Sequence, residues 1–345
     1  MEYEARKQLR RLMGVGLGLV GLIVLLLAVL GADRDLGTTI SIFSTRFLGI
    51  FIEAVPFLLL GTLASGLIDS FVSPEDIARL VPRKPVLATF MGSFLGFIFP
   101  VCECGVVPVV RRLYTKGLPM SVGITFLLAA PVMNPIVLAS TWVAFGPGPI
   151  LYGRFIMTVV ISMLVGLVFA FAGRPQEVLR PASLAPVMGG AGNVQPRAAG
   201  APSGGRKSLK TGLRDALSMA VDEFFEMGRY LVIGTLLAAA MQTLISQDML
   251  MALGRGPVIS VIVMQALAFV LSVCSTVDSF LALAFIGTFT TGSILAFLVF
   301  GPMVDIKSAM MFAGVFRPKI VVYLIVLPAL LTLLISVWLN LNVAF

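Results

Sequence analysis

The stretch "FPVCECGVVP", residues 99–108, sets two cysteines, an acid and two prolines inside a run of apolar residues. Cys102 and Cys104 flank Glu103, and Pro100 and Pro108 bracket the group. Proline lacks a backbone donor and breaks regular helix, so the run reads as an interrupted helix. The surrounding composition says where that interruption lies. Of 345 residues, 58% are hydrophobic and only 12% are charged, with a mean hydropathy of +1.03. Soluble domains carry about 25% charged residues, so this chain cannot cover itself in water. Apolar runs long enough to cross roughly 30 Å of hydrocarbon as helices recur along it. The expected fold is an all-α polytopic membrane protein, with lipid as its surroundings.

The net charge of +8 does not indicate nucleic acid. Lys and Arg gather between the apolar runs, where the positive-inside rule puts them, and no basic patch forms. Histidine is absent, which excludes His-ligated metals and His proton relays. Three cysteines do not make a disulfide framework. The phosphate-binding pattern G-x-x-x-x-G-K-[ST] is also absent, so the chain is not expected to hydrolyse ATP. It is expected to be a transporter and not an enzyme, with no cofactor.

A basic start (Arg6, Lys7, Arg10, Arg11) precedes an apolar run at residues 15–30. No clear small-x-small cleavage site follows, so residues 1–31 read as an uncleaved transmembrane helix with a cytoplasmic N-terminus. Further runs lie at 47–71, 86–110, 121–145 and 150–171, within a first repeat at 44–172. Residues 173–210 are rich in Ala, Pro, Gly and basic residues and read as a disordered cytoplasmic linker. Runs at 225–245, 258–276, 280–304 and 320–339 make a second repeat at 211–345.

The two repeats read as copies. "EAVPFLLLGTL" from Glu53 matches "EMGRYLVIGTL" from Glu226, and each acid stands eight positions before its Gly-Thr-Leu. Glu53 to Cys102 is 49 positions, and Glu226 to Cys274 is 48. "FLLAAPVMNP" from Phe126 matches "FLVFGPMVDI" from Phe297, which pairs Asn134 with Asp305. Charge gives the orientation. An inside N-terminus and a hairpin broken at residues 100–105 put Arg79, Arg83, Lys84, Arg111, Arg112 and Lys116 in the cytoplasm. The uncharged tip "GTFTTG", 287–292, then falls outside, and Lys307, Arg317 and Lys319 fall inside. Two inverted-topology repeats with broken or re-entrant helices, plus one extra N-terminal helix, satisfy every cluster. That is the build of many secondary transporters, with substrate held near the midplane.

Irregular backbone survives at membrane depth only where protein or a water-filled cavity covers it. The breaks "PVCECGVVP", "APVMNP", "VCSTVDS" and "GPMVD" therefore point to one central site. Cys102 and Cys104 offer soft ligands to a thiophilic solute, Glu103 can take the released protons, and Cys274 is their counterpart. The bland reading makes each cysteine a small buried residue. Glu53 and Glu226 are intramembrane acids, functional candidates by default, or else structural partners of Arg154, Arg317 or Arg229. Asn134, Asp278 and Asp305 lie on breaks and can bind solute or protons, or cap the half-helices that start there.

At these motifs the sequence resembles the predicted permeases typified by ArsP-like organoarsenical efflux permeases. The resemblance rests on "PVCECGVVPVVRRLYTKGLP", "FLLAAPVMNP" and "FLVFGPMVDIKSAMM" and covers roughly residues 45–340. It implies a bacterial or archaeal plasma-membrane permease, some members of which export trivalent methylated or aromatic arsenicals. The expected partners are a small thiophilic substrate and protons as coupling ion, with a homo-oligomer left open. Two alternatives stand beside it. One is a thiol–disulfide carrier of the DsbD type, working through Cys102 and Cys274. The other is a permease for a soft metal ion or an inorganic sulfur anion.

Overall fold

The computed structural model describes residues 36–82, 84–99, 101–172, 209–244 and 256–342. The expected N-terminal helix at 1–31 and nearly all of the expected linker lie outside them. The described helices are α1 (Leu36–Phe71), α2 (Pro74–Leu80), α3 (Pro85–Ile98), α4 (Glu103–Thr115), α5 (Met120–Met133), α6 (Pro135–Phe145) and α7 (Pro149–Ala172). They continue as α8 (Leu209–Leu244), α9 (Ile259–Leu271), α10 (Asp278–Ala282), α11 (Thr291–Met303), α12 (Ile306–Val315) and α13 (Pro318–Asn342), with a 3-10 turn at Leu283–Phe285. The β pairing among the described residues is one isolated bridge between Ile286 and Phe289.

Among the described residues, five helical stretches are long and apolar enough to cross a bilayer: α1, α7, α8, the α11–α12 pair and α13. The α5–α6 pair makes a sixth, bent by 40° at Asn134. α3 and α9, with 14 and 13 residues, reach only about 20 Å at 1.5 Å per residue. They are too short to span alone, as broken helices should be. The chain is an all-helical, multi-pass membrane protein.

Helix lengths recur across the gap at 173–208. α1 and α8 each have 36 residues, α5 and α11 have 14 and 13, and α7 and α13 have 24 and 25. Packing follows the same order. α3 lies on α5 and α7, and α9 lies likewise on α11 and α13. Three counterpart pairs also pack on one another: α1 with α8, α5 with α11, and α7 with α13. The departure is at the first break. α4 has 13 residues, but its counterpart α10 has five and runs on into the 3-10 turn and bridge. The apolar run 280–304 is therefore not one helix. Its first residues, 280–282, end α10 and residues 291–303 form α11, because the chain turns back through residues 286–290 between them.

The breaks have local causes. Pro131 and Pro302 sit near the ends of α5 and α11, which stop at Met133 and Met303, since proline removes a helical hydrogen bond. Asn134 then caps α6 by accepting from Ile136 N at 3.0 Å. Asp305 caps α12 by accepting from Ser308 N at 2.6 Å, while its own N–H donates to Ser308 Oγ at 2.9 Å. At the second-half break Ser272 takes a left-handed conformation, φ 47°. Its Oγ accepts from Ile306 N at 3.2 Å, tying 272–277 to the start of α12. Gln242 Nε2 donates to Leu271 O at 2.6 Å, covering the end of α9.

The two Gly-Thr-Leu motifs seat the broken helices. A Cβ on Gly61 would strike the backbone of Gly105 in α4, and one on Gly234 would stand 2.9 Å from the Lys307 Cα in α12. Glycine is needed at both sites for close approach. Gly61→Ala should destabilise the protein by about 1–3 kcal/mol, as overpacking does. Gly49→Ala, whose new methyl meets nothing within 4 Å, should be neutral. Thermal unfolding of the purified full chain in detergent reads both, and equal melting temperatures for the two variants would refute the packing assignment.

Candidate functional site

Lys307 lies in the first turn of α12, buried in the middle of the helices. Its Nζ is 3.4 Å from Glu103 Oε1 and 3.5 Å from Asp305 Oδ2. Glu103 opens α4 in the first half, whereas Asp305 and Lys307 belong to the second. Glu103 Oε2 and Asp305 Oδ2 accept no hydrogen bond. All three cysteines are free and buried. Cys102 occupies the N-cap position of α4 and Cys104 lies in its first turn, on either side of Glu103. Lys307 lies within electrostatic reach of Cys104 and Cys274, and Cys274 within reach of Glu103 and Glu53. Thr276 Oγ1 donates to the Cys274 sulfur at 3.5 Å. The breaks thus bring a thiol pair, a third thiol, two carboxylates and one ammonium into a common region.

A second buried cluster joins the halves elsewhere. Arg154 of α7 meets Asp278 of α10 with both terminal nitrogens, Nη2 to Oδ2 at 2.6 Å and Nη1 to Oδ1 at 3.1 Å. Nη1 also donates to Thr141 Oγ1 and Ser279 Oγ, each at 2.8 Å. A third network sits at the far end of α4. Arg111 Nη1 pairs with Glu226 Oε2 at 2.7 Å. Arg112 lies 3.6 Å from Asp69 and 3.8 Å from the buried Glu223. Ser65 donates to Glu223 Oε2 at 2.5 Å. Eight residues separate Glu103 from Arg111, about 12 Å of helical rise, so this network is distinct from the thiol cluster.

The chain matches the family described as "Predicted permease" over residues 40–341. It belongs to that family. It is 41% identical to the protein YcgR of Bacillus subtilis (strain 168) over 280 residues, 81% of this chain and 90% of that one. It is 35% identical over 279 residues to a Streptococcus mutans protein named as a candidate subunit of a two-component membrane permease complex, covering 80% of this chain and 87% of that one. A 79-residue stretch is 28% identical to a protein of Methanocaldococcus jannaschii, 23% of this chain and 22% of the other. No solved structure gives a significant match. The resemblance read from the broken-helix motifs is thereby shown at the level of a predicted permease.

Within this permease the residues singled out from sequence divide into groups. Cys102, Glu103, Cys104, Cys274 and Asp305 come together. Asn134 and Asp305 both serve as helix caps. Asp278 is held by Arg154, and Glu226 by Arg111. Glu53 is half-buried on α1, near Cys274. Of the arginines expected as acid partners, only Arg154 takes one of the buried acids, Asp278, and Arg229 instead stands 5.0 Å over the Tyr230 ring. Among the described residues no group of three or more Cys, Asp or Glu side chains is arranged to hold a metal ion.

Three residues escaped the sequence reading. Lys307 was expected in a cytoplasmic segment with Arg317 and Lys319. It is buried instead, because the flanking carboxylates offset its charge, so it cannot count toward the positive-inside argument. Arg111 was expected in the same kind of segment and is buried against Glu226. Glu223, one of several acids close together in the sequence, is buried beside Arg112 and Ser65. A signal for Lys307 existed: it stands where the first half has Ile136, inside the apolar run "PMVDIKSAMM". An ionisable residue at membrane depth is a functional candidate whatever its sign.

The Arg154–Asp278 pair can be tested for its role in the fold. Asp278→Asn leaves the guanidinium buried and uncompensated, which should cost about 3–5 kcal/mol. Replacing both partners, Arg154→Met with Asp278→Leu, should recover most of that loss. Melting curves of the purified variants measure it, and an unchanged Asp278→Asn curve would mean the pair does not hold the halves together.

Proposed function

We propose that this permease is a secondary transporter of a soft, thiol-reactive solute, most concretely an exporter of trivalent organoarsenicals. The observation that carries the proposal is the Cys102–Cys104 pair, two free buried thiols one residue apart at a helix break. A trivalent arsenic with one organic substituent has two exchangeable positions and so matches two adjacent thiols. Its hydroxyl form is neutral and can enter an apolar membrane cavity. Sulfur is the ligand that a soft element prefers. Cys274, from the other break, supplies a third contact as the halves move.

In this reading the two halves are inverted repeats, and rocking one against the other exposes the thiols alternately to the two sides. The packing of counterparts on one another supports it, since a rocking motion needs an interface between like elements. Protons are the coupling ions, and the cell membrane is the site of action with the N-terminus inside. Single cysteines introduced between residues 174 and 210 of a cysteine-free background should react with membrane-impermeant reagents only after cell opening. Ready labelling of intact cells would overturn the inverted arrangement.

The transport test is a resistance and uptake screen in a sensitive host carrying only this chain. It compares trivalent organoarsenicals, arsenite, soft metal ions and thiosulfate. Organoarsenical export is the expected result. Cys102→Ser and Cys104→Ser should each abolish or greatly weaken it while the protein still inserts, because oxygen keeps the size and loses the soft ligand. Cys274→Ser should act more mildly. Full export by the Cys102→Ser/Cys104→Ser double variant would show that the thiols only pack.

A further inference from the structure

We infer that Glu103, Lys307 and Asp305 form a binding site for one proton, shared between the two halves. The inference deepens the transporter reading by giving its coupling ion a site, and it rests on that reading for its purpose. The three side chains are 3%, 2% and 1% exposed, so water does not neutralise them. Two carboxylates and one ammonium leave one uncompensated negative charge. A lone charge in so dry a place is costly, and binding one proton removes it. The acceptors for that proton are present: Glu103 Oε2 and Asp305 Oδ2 are buried and accept no hydrogen bond.

Asp305 itself shows that its charge is not needed for capping. Its counterpart Asn134 caps α6 with a neutral carbonyl oxygen. The acid at 305 therefore does something that Asn cannot, and its second oxygen is turned to Lys307 at 3.5 Å. Lys307 stands two residues after Asp305 and crosses to Glu103 on the other half. When the halves separate, Lys307 stays with Asp305, and Glu103 is left without its cation. Glu103 then holds the proton as a neutral acid. When the halves close, Lys307 returns to Glu103 and the proton is again shared between the two carboxylates. A metal cation fits poorly, since it would lie beside the Lys307 ammonium and be repelled.

The other ionisable groups around α4 must be kept apart from this site. Cys102 and Cys104 adjoin Glu103 in sequence, and Cys274 lies within electrostatic reach of Glu103 and of Glu53 on α1. Helix α5 presents no ionisable side chain. At the far end of α4, Arg111, Arg112 and Lys116 meet Asp69, Glu223 and Glu226. Asp278 is held by Arg154.

Difference infrared spectroscopy of the purified full chain, titrated in pH with no solute added, counts protonated carboxyl groups directly. The wild-type protein should lose the carbonyl band of one buried carboxylic acid as the pH rises. That band should be missing from Glu103→Gln and from Asp305→Asn, each of which leaves a neutral pair with Lys307. Asp305→Asn keeps the cap, as Asn134 does, so folding is preserved. Lys307→Met should gain the band of a second acid. A band untouched by Glu103→Gln and Asp305→Asn would overturn the site. So would a band lost only in Glu223→Gln or Asp278→Asn, or one displaced by sodium at fixed pH. Because no solute takes part, failure here leaves the transport reading standing, and failure of every solute in the screen leaves the proton count standing.

Discussion

A helix interrupted inside hydrocarbon exposes backbone donors and acceptors that lipid cannot satisfy. The rest of this structure follows from meeting that requirement. Asn134 and Asp305 cap the helices that restart after α5 and α11. Ser272 adopts a conformation rare for a residue with a Cβ, and its hydroxyl receives the Ile306 N–H. Gln242 reaches across from α8 to close the end of α9. Gly61 and Gly234 let α1 and α8 come close enough to shield the broken segments. Once the breaks are covered in this way they can also hold chemistry, since the covering groups are polar and the space is closed to lipid.

The charges obey the same constraint and are not symmetric between the halves. Glu103 is matched by Ser275, and Lys307 by Ile136, so one half supplies the acid and the other its cation. The same asymmetry recurs at Arg154 with Asp278 and at Arg111 with Glu226. Each of these pairs bridges the halves. Buried pairs of this kind add little net stability over apolar packing. Their effect is to fix which surfaces meet.

Much of the site is legible in the sequence. The thiol pair, its acid and the two capping positions are unusual residues in apolar surroundings, and each is intelligible from its local sequence. Lys307 was harder. A cation between two apolar runs has the same local signature whether it faces the cytoplasm or lies at a helix break. The partners that tell these cases apart are Asp305, two residues away, and Glu103, more than two hundred residues away. Arg111 was misplaced for the same reason, since Glu226 lies on a helix of the other half. Glu53 and Glu226 occupy matched positions, yet one is half-buried near Cys274 and the other is bound to an arginine.

What the sequence determined by itself was local and periodic. Helical membrane character follows from the length of the apolar runs. The breaks follow from proline with its neighbouring caps, and the recurrence of elements from spacings kept within one residue. What only the tertiary structure decided was the choice of partners. Lys307 takes Glu103 and Asp305, Arg154 takes Asp278, and Arg111 takes Glu226, although each acid had more than one cation to choose from. Charge attraction is long-ranged and does not depend on chain order, so composition limits the candidates without selecting among them. Selection comes from helix packing, which brings particular side chains within 4 Å in a medium that does not tolerate an unpaired charge.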